Sequence, residues 1–131
     1  MSELLGFEHV LLRAVPRVDR GESMNVGVVV YSQPADFLGA AVHIDRDRLA
    51  ALDPTGDVDG LLDSLGAALD TICAVCEGDA SAGPAATGTR GERFRWLAAP
   101  RSTVVQPGPI HGGVTADPAA ELKLLLERLV R

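Results

Sequence analysis

The feature that most constrains the fold is a β-branched segment at residues 25–31, which reads Asn-Val-Gly-Val-Val-Val-Tyr. It is apolar at both sets of alternating positions, so a strand formed here would present apolar side chains on both of its faces. Such a strand needs cover on both sides, which is typical of the interior of a sheet. Residues 25–31 are therefore predicted to form a central strand.

Four further segments are predicted to complete the sheet. Residues 7–15 are rich in β-formers and end at Pro16, which lacks a backbone donor. Residues 38–44 can form the strand after the central one, and short connections favour antiparallel pairing. Residues 93–97 alternate in polarity, and residues 103–106 can form a short strand after them. The sequence thus predicts a mostly antiparallel sheet of about five strands.

Helices are predicted between and after these strands. Asp45 or Asp47 can cap a short helix that runs to Leu52. In the longer helix that follows, apolar residues recur at the three- and four-residue steps of a buried stripe. Residues 78–91 have no apolar period and are predicted to be a mobile surface connection. The stripe of the longer helix consists of Leu61, Leu62, Leu65, Leu69, Ile72 and Cys76.

The last helix is predicted to start where Pro118 follows Asp117, because this pair has the signature of a cap and a first turn. Before it, residues 107–113 contain mainly turn formers. Leu124 lies opposite the core stripe of this helix, so it is either exposed or part of a subunit contact such as a homodimer. The core stripe is Leu122, Leu125, Leu126 and Leu129.

The predicted class is α+β, with a single layer of sheet covered by two to three helices. With 131 residues and an apolar fraction of 47%, the chain can build one hydrophobic core, so residues 1–131 are predicted to be a single domain. The first twelve residues lack the pattern of a signal peptide, and no segment is long and apolar enough to cross a membrane. The expected location is the cytoplasm, without membrane contact.

Charge is unevenly distributed along the chain. The net charge of −6 argues against a protein that binds nucleic acid with its whole surface, since such binding depends on Lys and Arg. Residues 36–79 contain ten acidic side chains against two arginines, whereas residues 80–131 contain four acidic and seven basic side chains. The second half therefore has a basic region that the overall charge conceals.

The first candidate group consists of Arg20, Glu22 and Asn25, at the entry to the predicted central strand. Gly21 permits a tight or left-handed turn, and the polar side chains can hold that turn through backbone hydrogen bonds. Alternatively, they can present a fixed charge pair to a ligand or partner. The sequence leaves both interpretations open.

The second candidate group consists of Arg93 and Arg95, which a strand would place on one face, and of Arg101 and Ser102 in the next turn. Such a cluster suits a phosphate, a nucleotide, a segment of nucleic-acid backbone or an acidic loop of another protein. It can equally pair internally with Glu22 and Glu92. Trp96 shares a predicted face with Phe94 and is interpreted as core rather than as a base-stacking platform.

Common catalytic templates are absent from the sequence. Cys73 and Cys76 have redox or metal spacing but fall late in a predicted helix, and no second cysteine pair completes a zinc site. The three histidines have no metal-ligand spacing, although His111, expected near the arginines, is a candidate proton carrier. Phosphate-loop and dinucleotide fingerprints are also missing. Neither a metal nor a cofactor is expected.

Several motifs resemble the bacterial family called domain of unknown function 3037. They are Arg13-Ala14-Val15-Pro16, Asp19-Arg20-Gly21-Glu22, Asn25-Val26-Gly27-Val28-Val29, Arg93-Phe94-Arg95-Trp96-Leu97, Ala99-Pro100-Arg101-Ser102 and the helix from Asp117 to Leu129. The resemblance implies no activity. Genes of this family often lie beside those of HipA-like kinases, so it implies an accessory role in a toxin–antitoxin system, with such a kinase as protein partner.

The leading functional hypothesis is a binding or regulatory module whose two polar groups together hold a small anionic ligand or a protein partner. It requires the turn that carries Glu22 to lie next to the segment that carries Arg93 and Arg95. The alternative is a small enzyme acting on a phosphorylated or nucleic-acid substrate, with Glu22 as acid or base and His111 assisting. A purely structural subunit is the third class considered.

Overall fold

The computed structural model of the chain describes residues 3–131, so the first two residues of the predicted domain lie outside the described part. The strands are β1 (Leu5–Ala14), β2 (Met24–Ser32), β3 (Phe37–Val42), β4 (Val105–Pro107) and β5 (His111–Thr115). The helices are α1 (Arg46–Leu52), α2 (Val58–Glu77), α3 (Arg90–Ala98) and α4 (Pro118–Leu129). Two single 3-10 turns, Ala80–Ala82 and Pro84–Ala86, join α2 to α3.

All five strands form one antiparallel sheet, in which β2 lies between β1 and β3. The outer edge of β1 is shared, because β4 pairs with its end and β5 pairs with its beginning. Helices α1, α2 and α3 contribute to the core on one face of the sheet, and α4 packs on the other. This arrangement confirms the predicted α+β class, with a single sheet layer covered by helices.

The prediction of a central strand is confirmed at β2. Val29 packs into the larger core with α2, whereas Val28 and Val30 pack against Leu125 of α4. All three valines are completely buried, as a strand with apolar side chains on both faces requires. Burying each valine stabilises the fold by about 1.5–3 kcal/mol relative to leaving it exposed.

The caps predicted for the helices are also present. The side chain of Asp45 accepts a hydrogen bond from the backbone amide of Arg48 at the start of α1. Asp117 accepts from the amides of Ala119 and Ala120, and Pro118 occupies the first position of α4. Leu125 is buried and Leu124 is exposed, as predicted, but Leu129 of the predicted stripe is also exposed. The stripe of α4 is therefore shorter than its sequence indicated.

The prediction of a strand at residues 93–97 is wrong, because these residues belong to α3. A capping box starts this helix: the Thr89 hydroxyl accepts from the amide of Glu92, and the Glu92 carboxylate accepts from the amide of Thr89. Phe94 and Leu97, three residues apart on one side of the helix, are buried. Trp96, predicted to share the core with Phe94, is instead 41% exposed.

Two predicted connections also contain regular structure. The segment at residues 78–91 includes both 3-10 turns, the buried Ala86 and the first two residues of α3. The segment at residues 107–113, interpreted as turns, includes the start of β5. Pairing with β1 makes β5 a strand despite its adjacent glycines, Gly112 and Gly113. The predicted number of strands is right, but β5 replaces the segment that forms α3.

We expect Phe94→Ala to lower the free energy of unfolding by about 3–5 kcal/mol, because it removes a fully buried ring stacked on Tyr31. Trp96→Ala should lower it by only about 1 kcal/mol, since that ring is partly exposed and its loss removes a cation–π contact with Arg101. Urea denaturation of both variants measures the difference. Equal losses would contradict the helical assignment, because a strand would place both rings on one face.

Candidate functional site

A cleft of about 480 Å³ lies at the end of the sheet where α3 packs. Three of its lining residues, Gly6, Gly112 and Gly113, are glycines, so strand backbone is exposed to the cleft. A Cβ atom added at Gly6 would have no heavy atom within 4 Å, which shows that the space above it is open. The other lining residues are Phe7, Glu8, Tyr31, Gln33, Pro34 and Arg95.

Strand register places three of these residues in one row. Glu8 lies opposite Tyr31 of β2 on one side and opposite Gly112 of β5 on the other. Side chains at paired positions share a face of the sheet, and here it is the face on which α3 packs. The Tyr31 ring stacks on Phe94 of α3 with ring centroids 5.3 Å apart, which fixes the helix above this row.

Arg95 follows Phe94 along α3 and extends into the cleft. Its side chain is exposed, and none of the ion pairs or side-chain hydrogen bonds within residues 3–131 involves Arg95 or Glu8. The same two residues line a second cleft of about 320 Å³, whose other walls are Ala98, Ala99 and Ile110. Two adjoining clefts therefore share one cation and one anion that do not neutralise each other by direct contact.

The first predicted polar group forms local contacts at the entry to β2. Arg20 donates a hydrogen bond to the carboxylate of Glu22, and both side chains are exposed. Between them Gly21 has a φ of 70°, which matches the predicted left-handed turn. The Asn25 amide donates to the carbonyl of Leu129 at 2.9 Å, at the end of α4. These contacts hold the turn and dock the last helix.

This turn lies at the opposite end of β2 from α3. Asn25 is next to the first residue of the strand, whereas Tyr31, which contacts α3, is next to the last. Six residues of extended strand separate positions by about 20 Å. No hydrogen bond or ion pair in the described part of the chain joins Arg20 or Glu22 to α3. The structure therefore does not place the turn that carries Glu22 next to Arg93 and Arg95 of α3, as the leading hypothesis required.

Arg93 and Arg95 also lie on different sides of α3, since two helical residues are about 200° apart around the axis. The inference that a strand places both guanidinium groups on one face is therefore wrong. Arg93 is only 9% exposed, and its guanidinium lies against Gly78, the C-cap of α2. A helix C-terminus has partial negative charge, so this position suits a cation.

Arg101 and Ser102 follow α3 in the connection to β4. The Arg101 guanidinium lies 4.6 Å from the centroid of the Trp96 ring and donates to the carbonyls of Trp96 and Ala99. Removal from water lowers the pKa of Arg101 from its ordinary value, although the group remains a cation. These contacts bind the end of α3, whereas Ser102 is exposed.

His111 lies on the other face of the sheet from Arg95, contrary to its predicted position near the arginines. It pairs with His9 across β5 and β1, and the two rings stack with centroids 5.2 Å apart. Desolvation and the neighbouring His111 lower the pKa of His9, while Glu121 of α4 raises it to a smaller extent. The Nδ1 atom of His9 is buried without a hydrogen-bond partner among the described residues.

The thiols of α2 are not activated. Burial, reinforced by Cys73, raises the pKa of Cys76 to about 12, and burial also raises the pKa of Cys73. Both cysteines are free. Within residues 3–131, no group of three or more His, Cys, Asp or Glu side chains is placed to hold a metal ion. None of the helices in that range is long and apolar enough to cross a membrane.

Sequence reasoning identified Arg95 but missed the residues around it. Glu8 and Tyr31 stand in ordinary strand patterns, and only the register between β1 and β2 reveals that they meet. The Thr89-x-x-Glu92 pattern is typical of a helix start and indicates α3. A helix at this position places Arg93 and Arg95 on different sides. Gly112 was interpreted as part of a turn because glycine carries no strand signal of its own.

Comparison with known proteins gives one match. The model of the family described as "Protein of unknown function (DUF3037)" matches residues 9–130, which is nearly the whole chain. No curated protein and no solved structure matches the chain.

We expect the native protein to lose stability as the pH falls through about 6.5, the pKa of histidine in an unfolded chain. The folded state lowers the pKa of His9, so in this pH range the unfolded state binds a proton that the folded state does not. His9→Gln removes this difference. Urea denaturation at about pH 7.5 and about pH 5.5 should therefore show a larger loss for the native protein than for the variant. Parallel losses would contradict the interpretation.

Proposed function

We propose, for a chain that belongs to the DUF3037 family, a non-catalytic binding function in which Arg95 holds an anionic group of a ligand or protein partner. The observation that carries the proposal is the setting of Arg95: an exposed guanidinium in two adjoining clefts, with no ion-pair partner in the described range. Its planar fork of donors matches a carboxylate or a phosphate. The bound carboxylate or phosphate would form the ion pair that Arg95 does not form with any acidic side chain of the described residues.

Glu8 limits which anions suit this cleft. Its carboxylate lines both clefts together with Arg95, so it repels a ligand that carries several negative charges. A ligand with a single carboxylate or phosphate beside a hydrogen-bond donor can satisfy both side chains. Tyr31 and Gln33 add neutral polar groups at the same cleft. The proposal therefore favours a singly charged group over a nucleotide with its chain of phosphates.

The other predicted site residues have different parts in this proposal. Arg93 packs α3 against the end of α2, and Arg101, in the connection to β4, donates a hydrogen bond to the carbonyl of Ala99 at the end of α3. No observation favours Glu22 as the acid or base of an enzyme, because it pairs with Arg20 on an exposed turn and lines neither cleft beside Arg95. The HipA-like kinase implied by the family resemblance is one protein partner to test against Arg95.

We expect Arg95→Gln to weaken binding of two probes, N-acetylglutamate α-methylamide, which has a single carboxylate, and N-acetylphosphoserine methylamide, which has a single phosphate, by about ten- to a hundredfold, because hydrogen bonds to charged groups contribute about 1.5–3 kcal/mol. Arg95→Lys should retain part of the affinity, since it keeps the charge but loses the fork. Isothermal titration calorimetry measures these affinities. In a separate co-purification assay, retention of a HipA-like kinase on the native protein should be lost in Arg95→Gln.

Two variants serve as controls for this experiment. Arg128→Gln removes another exposed arginine, in α4 on the other face of the sheet, and should leave affinity unchanged. Glu8→Gln should strengthen binding of N-acetylphosphoserine methylamide more than that of N-acetylglutamate α-methylamide, because it removes repulsion from the phosphate, the more highly charged group. The proposal fails when Arg95→Gln binds the probes as the native protein does, or when Arg128→Gln weakens binding equally.

A further inference from the structure

The outer edge of β5 is open. This strand pairs with β1 on one side, and on its other side no backbone hydrogen bond joins it to another described segment. Residues 111–114 are all exposed. The edge strand β3, at the far side of the sheet, is different, because five of its six residues are half-buried between helices. The row of amides and carbonyls along β5 is therefore available for pairing.

Nothing in the sequence of β5 protects this edge. Edge strands in monomeric proteins are commonly blunted by lysine, proline or an inward-pointing charge, whereas β5 reads His-Gly-Gly-Val-Thr. Val114, within the strand, is 62% exposed, and Ile110, the residue just before the strand, is 48% exposed. The strand thus has the properties of a pairing surface rather than of a protected edge.

The open edge is continuous with the Arg95 cleft. Gly112 and Gly113 line that cleft, and Ile110 lines the adjoining one beside Arg95. By alternation, Val114 shares the face of Gly112, which is the face that carries α3. A strand added to β5 would lie about 4.8 Å beyond it, with every second side chain above this same face. Such a side chain would point toward the opening of the cleft.

We propose that β5 receives an added strand from an extended segment of a partner protein, and that an acidic side chain of this segment pairs with Arg95. The inference rests on the proposed function, in which Arg95 holds an anionic group, and it names the partner class. Main-chain hydrogen bonds would provide affinity, and the cleft would provide selection for the acidic side chain. Gly112 has no side chain to block this approach, since a Cβ atom there would meet only the Phe7 carbonyl oxygen, at 3.9 Å.

Charge favours a partner protein over a second copy of this chain. Residues 80–131, which include α3 and β5, contain seven basic and four acidic side chains. Pairing β5 with β5 of another copy would bring two such regions together. It would also leave Arg95 unmatched, since β5 contains no acidic residue. An acidic extended segment supplies the complementary charge.

The experiment uses a library of short acetylated peptides rich in Val, Thr and Ile, with Glu, Gln or Lys at one central position. Fluorescence polarisation with the full chain measures affinity, and hydrogen exchange followed by NMR measures protection of the β5 amides. A matched peptide with alternate backbone nitrogens methylated cannot pair as a strand. The Glu peptides are tested against the native protein, Arg95→Gln and the control Arg128→Gln.

We expect Glu peptides to bind at least about tenfold more tightly than Lys peptides, a difference of ~1.4 kcal/mol that Arg95→Gln removes. Binding should protect alternate amides of β5, and methylation should abolish it. Arg95-dependent binding without protection of β5 would overturn the added strand while leaving the proposed function intact. Protection of β5 without preference for Glu would overturn the pairing with Arg95.

Two further outcomes also contradict the inference. A dimer in light scattering whose β5 amides are already protected would mean that a second copy occupies the edge. Absence of binding by every peptide of the library at millimolar concentration would mean that β5 does not accept strands. The calorimetry with N-acetylglutamate α-methylamide and Arg95→Gln would then decide the proposed function separately.

Discussion

The burial of β2 on both faces is the constraint from which the rest of the architecture follows. Val29 faces α2 while Val28 and Val30 face α4, so neither side of the sheet can be left to water near its centre. Helices need to cover the sheet only where its strands present apolar side chains. At the beginning of β1, where Gly6 and Glu8 occupy the face that carries α3, the sheet continues without a complete helical layer. The cleft lies at this end.

The elements that sequence reasoning recovered are those with long, regular periods and local caps. The two-sided apolar pattern of β2 and the helical stripe of α2 each extend over enough residues to separate a period of two from one of 3.6. The window at residues 93–97 is too short for that, because five alternating residues also fit a helix. The deciding signal lay upstream, in the Thr89 capping box. The sequence of β5 alone does not indicate a strand, and this segment is a strand because it pairs with β1.

The candidate site was harder to predict than the fold because its parts meet through register. The sequence indicated that Arg95 was a candidate, but the turn at Arg20 and Glu22 proved to be a local pair, which was one of the two interpretations left open. Glu8 lines the same cleft as Arg95, although it lies 87 positions away in sequence. No property of either segment alone specifies that encounter.

The glycines of the cleft connect its shape to its chemistry. Glycine inside a strand costs about 0.5–1 kcal/mol relative to alanine, and Gly6 and Gly112 lie in neighbouring strands beside the same opening. Larger side chains at Gly6 and Gly112 would extend into open space of the cleft that Glu8 and Arg95 also line. Because β1 holds the carboxylate and α3 holds the guanidinium, the two charges are fixed by separate elements. The packing of Phe94 on Tyr31 holds α3, and with it the backbone of Arg95, above the row of residues that contains Glu8 and Tyr31.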